Sequence, residues 1–425
     1  MSKTSNPTSS EKIEPPIDPT AYRLRLQDLI LGAQMLFVAF GALVLVPILA
    51  GLDPSVALFT AGLGTLAFQL VTAGKVPVFL ASSFAFIAPI QLGVAEYGLA
   101  ETLSGLLAAG VFYLVLSLLI FWRGPEFLVR LLPPIVTGPV IMVIGLSLAP
   151  IAINMASEAG DTYSKSAALG VSAVSLLVTM MTALLGQGWL RLVSILSGII
   201  VGYAVALLMG MVDFAPVAAA PWLAWPTFTT PVFHLPAILF ILPVAIAPAI
   251  EHVGDILAIG LVTHKNYLRE LGLHRTLLGD GLATMLASFL GGPPNTTYSE
   301  VTGAVALTKL FNPGIMTWAS IMAIVLAFVG KLGALLQTIP PPVMGGILVI
   351  LFGTIVMVGI NSLVHSGQDL LNPRNLVVAS VILIFGVGGL SLKTESFALE
   401  GIGLCGLFGV LLNLLLPAVE DGRSP

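Results

Sequence analysis

Three carboxylates, Glu251, Asp255 and Glu300, lie inside stretches otherwise apolar enough for a lipid bilayer. A carboxylate at membrane depth costs about 3 kcal/mol or more unless it is paired, hydrated or neutralised by a proton. The chemistry open to such a group is to accept hydrogen bonds from a polar ligand or to carry a proton. Glu251 and Asp255 stand at i and i+4, so they share one helix face. Two carboxylates so close in low dielectric do not both ionise cheaply, which makes a proton carrier near neutral pH an expectation. His252 points about 100° away on the helix and reads as a packing hydrogen bond rather than a ligand. The alternative for Glu251 is a helix-end residue reached by interfacial water, and Asp255 divides evenly between site and interface. Glu300 closes the polar run Asn295, Thr296, Thr297, Tyr298, Ser299, behind Pro293 and Pro294. Such a run cannot face lipid, because its backbone N–H and C=O groups would go unpaired. It lines a cavity or pairs with another broken segment; otherwise it is a surface loop between two spans.

The elements that must position these groups are membrane spans. Of 425 residues, 57% are hydrophobic and only 9% charged, against about 25% charged in a soluble domain. Apolar runs of spanning length occupy 29–50, 54–73, 102–121, 134–151, 167–186, 192–212, 236–254, 315–330, 341–359, 375–390 and 398–416. Three shorter or interrupted stretches, 76–91, 276–291 and 293–311, bring the expected count of embedded segments to fourteen. Residues 1–22 are polar, rich in Pro and Ser, and lack the apolar core of a signal peptide. They are expected to form a disordered tail. With fourteen segments, Arg23, Arg25, Lys75, Arg123, Arg130, Arg191, Lys265, Arg269, Arg275, Lys309, Arg374 and Arg423 share the tail side. Lys165, Lys331 and Lys393 fall opposite, so the positive-inside rule makes the tail side cytoplasmic.

The chain also repeats itself. LPPIVTG at 132–138 is similar to IPPPVMGG at 339–346, each opening a long apolar helix. Gln34 and Glu251 are polar residues inside helices of the two halves, and each is followed at a matching distance by a broken segment. The first of these, 77–90, carries Ser82, Ser83, Phe84, Ala85 and Phe86 between two prolines. Seven spans per half give the halves opposite topology. Paired broken segments at matching places in inverted halves mark a transporter's binding site.

Other chemistries lack their residues. No basic patch suggests nucleic acid. Cys405, the only cysteine, offers neither disulfide nor thiolate site and reads as packing. His234 and His365 are isolated, so no metal or cofactor is expected. No Walker motif, GxSxG or HExxH appears, which removes the common hydrolases. His264, Lys265, Arg269, His274 and Arg275 form a basic loop that anchors topology, and Asp280 is expected to cap locally or pair with Arg275. A non-transporting sensor would need an output domain that neither end supplies.

EHVGD at 251–255, GLHRTLLGDG at 272–281, GGPPNTTYSEVTG at 291–303 and PPVMGG at 341–346 resemble the nucleobase–ascorbate transporter family. ASSFAFIAP at 81–89 and GAQ…FGALVLVP at 32–47 match as well, most nearly the bacterial uracil–proton symporter branch. The resemblance covers nearly the whole chain after residue 25. It implies an all-α polytopic fold of fourteen segments in two inverted repeats, 26–212 and 236–416, after a cytoplasmic tail of 1–25. Core and gate domains each draw on both repeats, and short antiparallel strands in the third and tenth segments hold the substrate. The residues implied at the base are Phe84, Glu251, Ser299 and Glu300, with Glu251 and Asp255 in proton coupling. Gln34, Ser83 and Tyr298 are supporting candidates. Uracil presents two N–H donors and two carbonyl acceptors on a flat ring, which suits carboxylates, backbone N–H groups and an aromatic wall.

Three positions depart from the uracil pattern: Met35 after Gln34 where His is common, Asp255 where some uracil permeases have a second His, and Val301 where Asn is common. The function implied is import of uracil or a related base by proton symport with alternating access, in a bacterial inner membrane with both termini cytoplasmic. A homodimer is implied as well. The alternative is a purine or xanthine substrate, which Asp255 favours. Anion transporters share the architecture, but two glutamates repel an anion.

Overall fold

A computed structural model describes residues 18–124, 126, 131–160, 162–394 and 397–417. Arg130, Arg423 and residues 1–17 of the expected tail lie outside the described residues. The first half contains α1 (Leu29–Ala50), α2 (Pro54–Val71), β1 (Leu80–Ser82), α3 (Ile87–Tyr97) and α4 (Leu99–Arg123). It continues with α5 (Pro134–Ser157), α6 (Lys165–Leu185) and α7 (Ser194–Leu208). The second half contains α8 (Leu235–Thr263), α9 (Leu273–Phe289), β2 (Asn295–Thr297), α10 (Ser299–Thr308) and α11 (Gly314–Ala327). Then follow α12 (Pro341–His365), α13 (Pro373–Val387), β3 (Ser391–Thr394), β4 (Phe397–Glu400) and α14 (Gly401–Leu415). Among the described residues seven helices are long and apolar enough to cross a membrane, and five shorter ones are apolar.

The helices pack chiefly in two groups. In one, α9 lies on α4 and α2, and α11 lies on α2 and α1. In the other, α12 lies on α5, α6 and α7, while α13 packs on α14 and α5. Lipid supplies no hydrophobic drive between helices, so close approach depends on small residues. α5 and α12 show this: a Cβ on Gly138 would stand 2.9 Å from the Gly359 carbonyl, and one on Gly145 would stand 2.5 Å from the Phe352 carbonyl. α1 is apolar on every side and buried along most of its length, as a central helix must be.

Two sequence boundaries move. The run 236–254 ends at the carboxylates by hydropathy, yet α8 continues to Thr263, turning through a 3₁₀ stretch at Leu242–Ala245 where Pro243 removes a donor. Asp255 is therefore deep within a helix rather than near its end. Residues 20–25, expected in the disordered tail, are instead held on the helices. Tyr22 OH lies 3.2 Å from Thr317 Oγ1, the Arg23 N–H donates to Asn312 Oδ1, and Trp318 Nε1 donates to the Arg25 carbonyl.

Candidate functional site

Two broken segments meet at the centre of the first helix group. β1 pairs antiparallel with β2, setting Leu80 opposite Thr297, Ala81 opposite Thr296 and Ser82 opposite Asn295. The Ser83 N–H extends the pairing by donating to the Pro294 carbonyl at 2.9 Å. A two-stranded ribbon leaves outer edges that bare lipid could not satisfy. Threonines of the flanking helices satisfy them: Thr65 of α2 bonds both the Leu80 N–H and its carbonyl, and Thr284 of α9 donates to the Asn295 carbonyl. Asn295 Nδ2 donates to the Thr60 carbonyl, and the close approach requires Gly64, whose Cβ would stand 2.6 Å from that nitrogen.

Each strand runs directly into a helix. β1 leads through the 3₁₀ turn Phe84–Phe86 into α3, and β2 leads through Tyr298 into α10. Neither start, at Ser83 nor at Tyr298, has a side-chain cap. Two helix N-termini with open N–H groups therefore face the middle of the protein, where an acceptor oxygen can bind. Phe84 is nearly buried, its ring centroid 6.3 Å from that of Tyr298 and 6.4 Å from that of Phe352 on α12. The hydroxyls of Ser83 and Tyr298 are buried with no hydrogen-bond partner among the described residues.

α8 brings the acids to this junction. Glu251 is half-buried and lies within electrostatic reach of Asp255, Glu300 and Asp280. No Lys or Arg among the described residues pairs with any of the four. Asp255 is 4% exposed, and both of its oxygens are engaged: Oδ2 accepts from Thr297 Oγ1 at 2.9 Å, and Oδ1 accepts from Ser299 Oγ at 2.5 Å. It thus ties α8 to the strand–helix junction of β2 and α10. Ser299 is otherwise exposed, and Gly254 and Gly303 open on free space nearby. Gln34 is half-buried on α1, and Met35 beside it is fully buried.

The structure corrects one neighbour and adds others. Asp280 does not pair with Arg275. It is fully buried, with Oδ2 3.7 Å from His252 Nδ1, and that nitrogen lies 3.4 Å from Thr297 Oγ1. Tyr113 of α4, fully buried, brings an unpartnered hydroxyl within electrostatic reach of Asp280 and Glu251. The signal for Asp280 was present: an acid inside the embedded stretch 276–291 is subject to the same cost as Glu251. Nothing in the sequence around Tyr113 distinguishes it from packing. Among the described residues no His, Cys, Asp and Glu grouping suits a metal ion.

A family model described as "Permease family" matches residues 26–394. A probable uracil permease of Pasteurella multocida is 53% identical over 92% of this chain and 94% of that protein. The uracil permease of Bacillus caldolyticus is 45% identical over 92% of each, and that of Escherichia coli strain K12 is 39% identical over 93% of this chain and 92% of that one. Among solved structures, the transmembrane domain of the cyanobacterial bicarbonate transporter BicA aligns with a TM-score of 0.59 at 14% identity, covering 93% of this chain and 99% of that one. SLC26A9 aligns with a TM-score of 0.67 at 13% identity, covering 91% of this chain and 64% of that one. At such identities the likeness shows a shared helical membrane fold and nothing of the cargo.

Proposed function

We propose a function from one premise: the chain belongs to the nucleobase–ascorbate transporter family, in its uracil permease branch, and is a nucleobase transporter of the membrane rather than an enzyme. The base is uracil, taken up with protons by alternating access. The observation that carries this reading is the meeting of two uncapped helix starts, at Ser83 and Tyr298, where β1 pairs with β2, with the Phe84 ring against that of Tyr298 and with Glu251 and Glu300 within electrostatic reach of each other. Uracil carbonyls accept from the helix N–H groups, including that of Ser299. Its N–H groups donate to Glu251 and Glu300, and the Phe84 ring covers one face. Ser83, Tyr298 and Gln34 adjust the rim.

Coupling follows from charge. Four carboxylates without a Lys or Arg partner among the described residues cannot cross a low-dielectric barrier together at low cost. A proton on Glu251, in the field of Asp255, lowers that cost for the loaded site. The two helix groups serve as core and gate, built from inverted halves of seven segments. Anchoring of Asp18 to Lys265 at 3.1 Å supports placing the tail and the basic loop on one side, read as the cytoplasmic side of a bacterial inner membrane. A purine substrate is not favoured, because Asp255, the residue that suggested it, is occupied by Thr297 and Ser299.

Uptake of labelled uracil into proteoliposomes under an inward proton gradient tests the reading, with xanthine, adenine, thymine and 5-fluorouracil as competitors. Gradient-driven accumulation blocked only by pyrimidines is the expected result. Xanthine binding without uracil uptake would mean that Met35, Asp255 and Val301 redefine the pocket.

A further inference from the structure

The segment from Asp18 to Arg25 lies across the ends of α1, α10 and α11, away from the substrate site. Asn312 brackets Arg23, its Oδ1 accepting the Arg23 N–H at 2.9 Å and its Nδ2 donating to the Arg23 carbonyl at 2.8 Å. Trp318 Nε1 donates to the Arg25 carbonyl at 2.8 Å. Gly314 lies flat against the Arg23 carbonyl, where any Cβ would collide. Both arginine backbones are fixed by bonds that do not use their guanidinium groups. Beside them opens a cavity of about 220 Å³, bordered by Arg23, Arg25, Lys309, Phe311, Asn312 and Asp28. Its one carboxylate, Asp28, is nearly buried and accepts from Asn312 Nδ2 at 3.1 Å. No carboxylate among the described residues reaches ion-pair distance of Arg23, Arg25 or Lys309. Three cations therefore outnumber one anion around a space that nothing else in the described chain neutralises.

Lys309 ends α10 as a left-handed cap with φ of 55°, its N–H donating to the Val305 carbonyl at 2.8 Å, and this turn sets it beside Phe311 and Asn312 at the cavity border. The surroundings fix what kind of anion fits. Leu24, Leu26 and Ile30, at 50%, 76% and 78% exposure, present apolar side chains beside the cavity where α1 begins. Exposed leucines next to unpaired arginines suit the level at which hydrocarbon gives way to headgroups. The groove on the other side of Tyr22, about 520 Å³ and bordered by Leu66, Leu70 and Thr317, has no charged residue and offers an anion no partner of opposite charge.

We propose that this cavity binds the phosphate of an anionic phospholipid headgroup. Guanidinium groups match phosphate oxygens in bidentate fashion, and the Lys309 ammonium supplies a point charge. The bound headgroup fastens the segment to the turn that follows α10, the helix carrying Ser299 and Glu300, so leaflet composition acts on the mobility of that helix.

The test uses the full-length protein in nanodiscs of phosphatidylcholine with and without phosphatidylglycerol, released for native mass spectrometry. Wild type is expected to retain phosphatidylglycerol in preference to phosphatidylcholine. Each of R23Q, R25Q and K309Q lowers the apparent affinity about fivefold, the equivalent of about 1 kcal/mol per basic side chain at an anionic surface. R275Q, at an exposed arginine in the first turn of α9 and outside the cavity, leaves retention unchanged. Should R23Q or K309Q misfold, R25Q still decides, because among the described residues the Arg25 side chain makes no bond. Equal retention by R25Q and wild type overturns the site. Protection by inorganic phosphate equal to that by phosphatidylglycerol overturns the lipid and leaves a soluble oxyanion.

Discussion

Replacing Asp255 tests whether this carboxylate fastens the binding site or carries the proton. Its two oxygens accept from Thr297 and Ser299, so Asp255→Ala leaves two hydroxyls without their acceptor. Side-chain hydrogen bonds inside membrane proteins contribute about 0.6 kcal/mol on average and up to about 1.7. Losing both amounts to about 1–3 kcal/mol, or about 5- to 150-fold in affinity if the junction must be ordered to bind the base. Ser299→Ala removes one bond and keeps the backbone N–H, so its loss is about 3- to 15-fold. In the Asp255→Ala background Ser299→Ala should add nothing, because the shared bond is already gone. Asp255→Asn keeps a bond to at least one hydroxyl and should fall well short of Asp255→Ala. Equilibrium binding of labelled uracil to the purified variants measures each term, and gradient-driven uptake accompanies it. Additive losses for Asp255→Ala and Ser299→Ala would refute the shared bond. Intact binding by Asp255→Asn with all accumulation lost would make Asp255 the proton carrier and not the clasp.

Further outcomes follow from the same geometry. Glu251→Gln should bind base yet lose accumulation under an imposed proton gradient, read by comparing counterflow with gradient-driven uptake. Tyr298→Phe forfeits no internal bond, so its Tm should stay at the wild-type value while uracil affinity falls about 3- to 10-fold, the worth of one hydrogen bond. Gly145→Leu drives a side chain at the Phe352 carbonyl and should destabilise the α5–α12 contact by about 1–3 kcal/mol, seen as a lowered Tm in detergent. The Asp18 carboxyl is held down from its usual 3.8 to about 2, by Thr20 first and Lys265 after it. A depressed carboxyl stabilises above its unfolded pKa and loses that stabilisation only as pH falls through about 2. The uptake–pH profile of Asp18→Asn should therefore superimpose on that of wild type between pH 5 and 8.

What was legible in the sequence was whatever the bilayer taxes residue by residue. An apolar run announces a span, and Pro293 and Pro294 before a polar run announce a break, because each follows from local chemistry alone. The pairing of β1 with β2 was one of the arrangements the residues left open, since broken backbone in a membrane must find a partner or line a cavity, and the family resemblance implied it. Positions set by distant contacts were hidden. Hydropathy ended this helix at residue 254, although Thr297 and Ser299 hydroxyls allow it to carry Asp255 onward as helix. Composition made residues 1–22 a tail and the resemblance carried it to 25, although Asn312 and Trp318 hold the backbone of Arg23 and Arg25 from far along the chain. Asp280 was misplaced by its sequence neighbour Arg275, when its cost of burial should have ruled. The rule that worked for Glu251 works for Asp280 too: in lipid, an acid's position relative to the span outweighs its nearest opposite charge in sequence. Applied throughout, it leaves four carboxylates around one junction with no Lys or Arg partner among the described residues, Asp255 held by two hydroxyls and Asp280 beside one histidine. Such a set is suited to a ligand that donates hydrogen bonds without bringing a charge of its own. Uracil, with two N–H groups and no formal charge, meets that requirement, whereas a carboxylate or sulfate cargo does not.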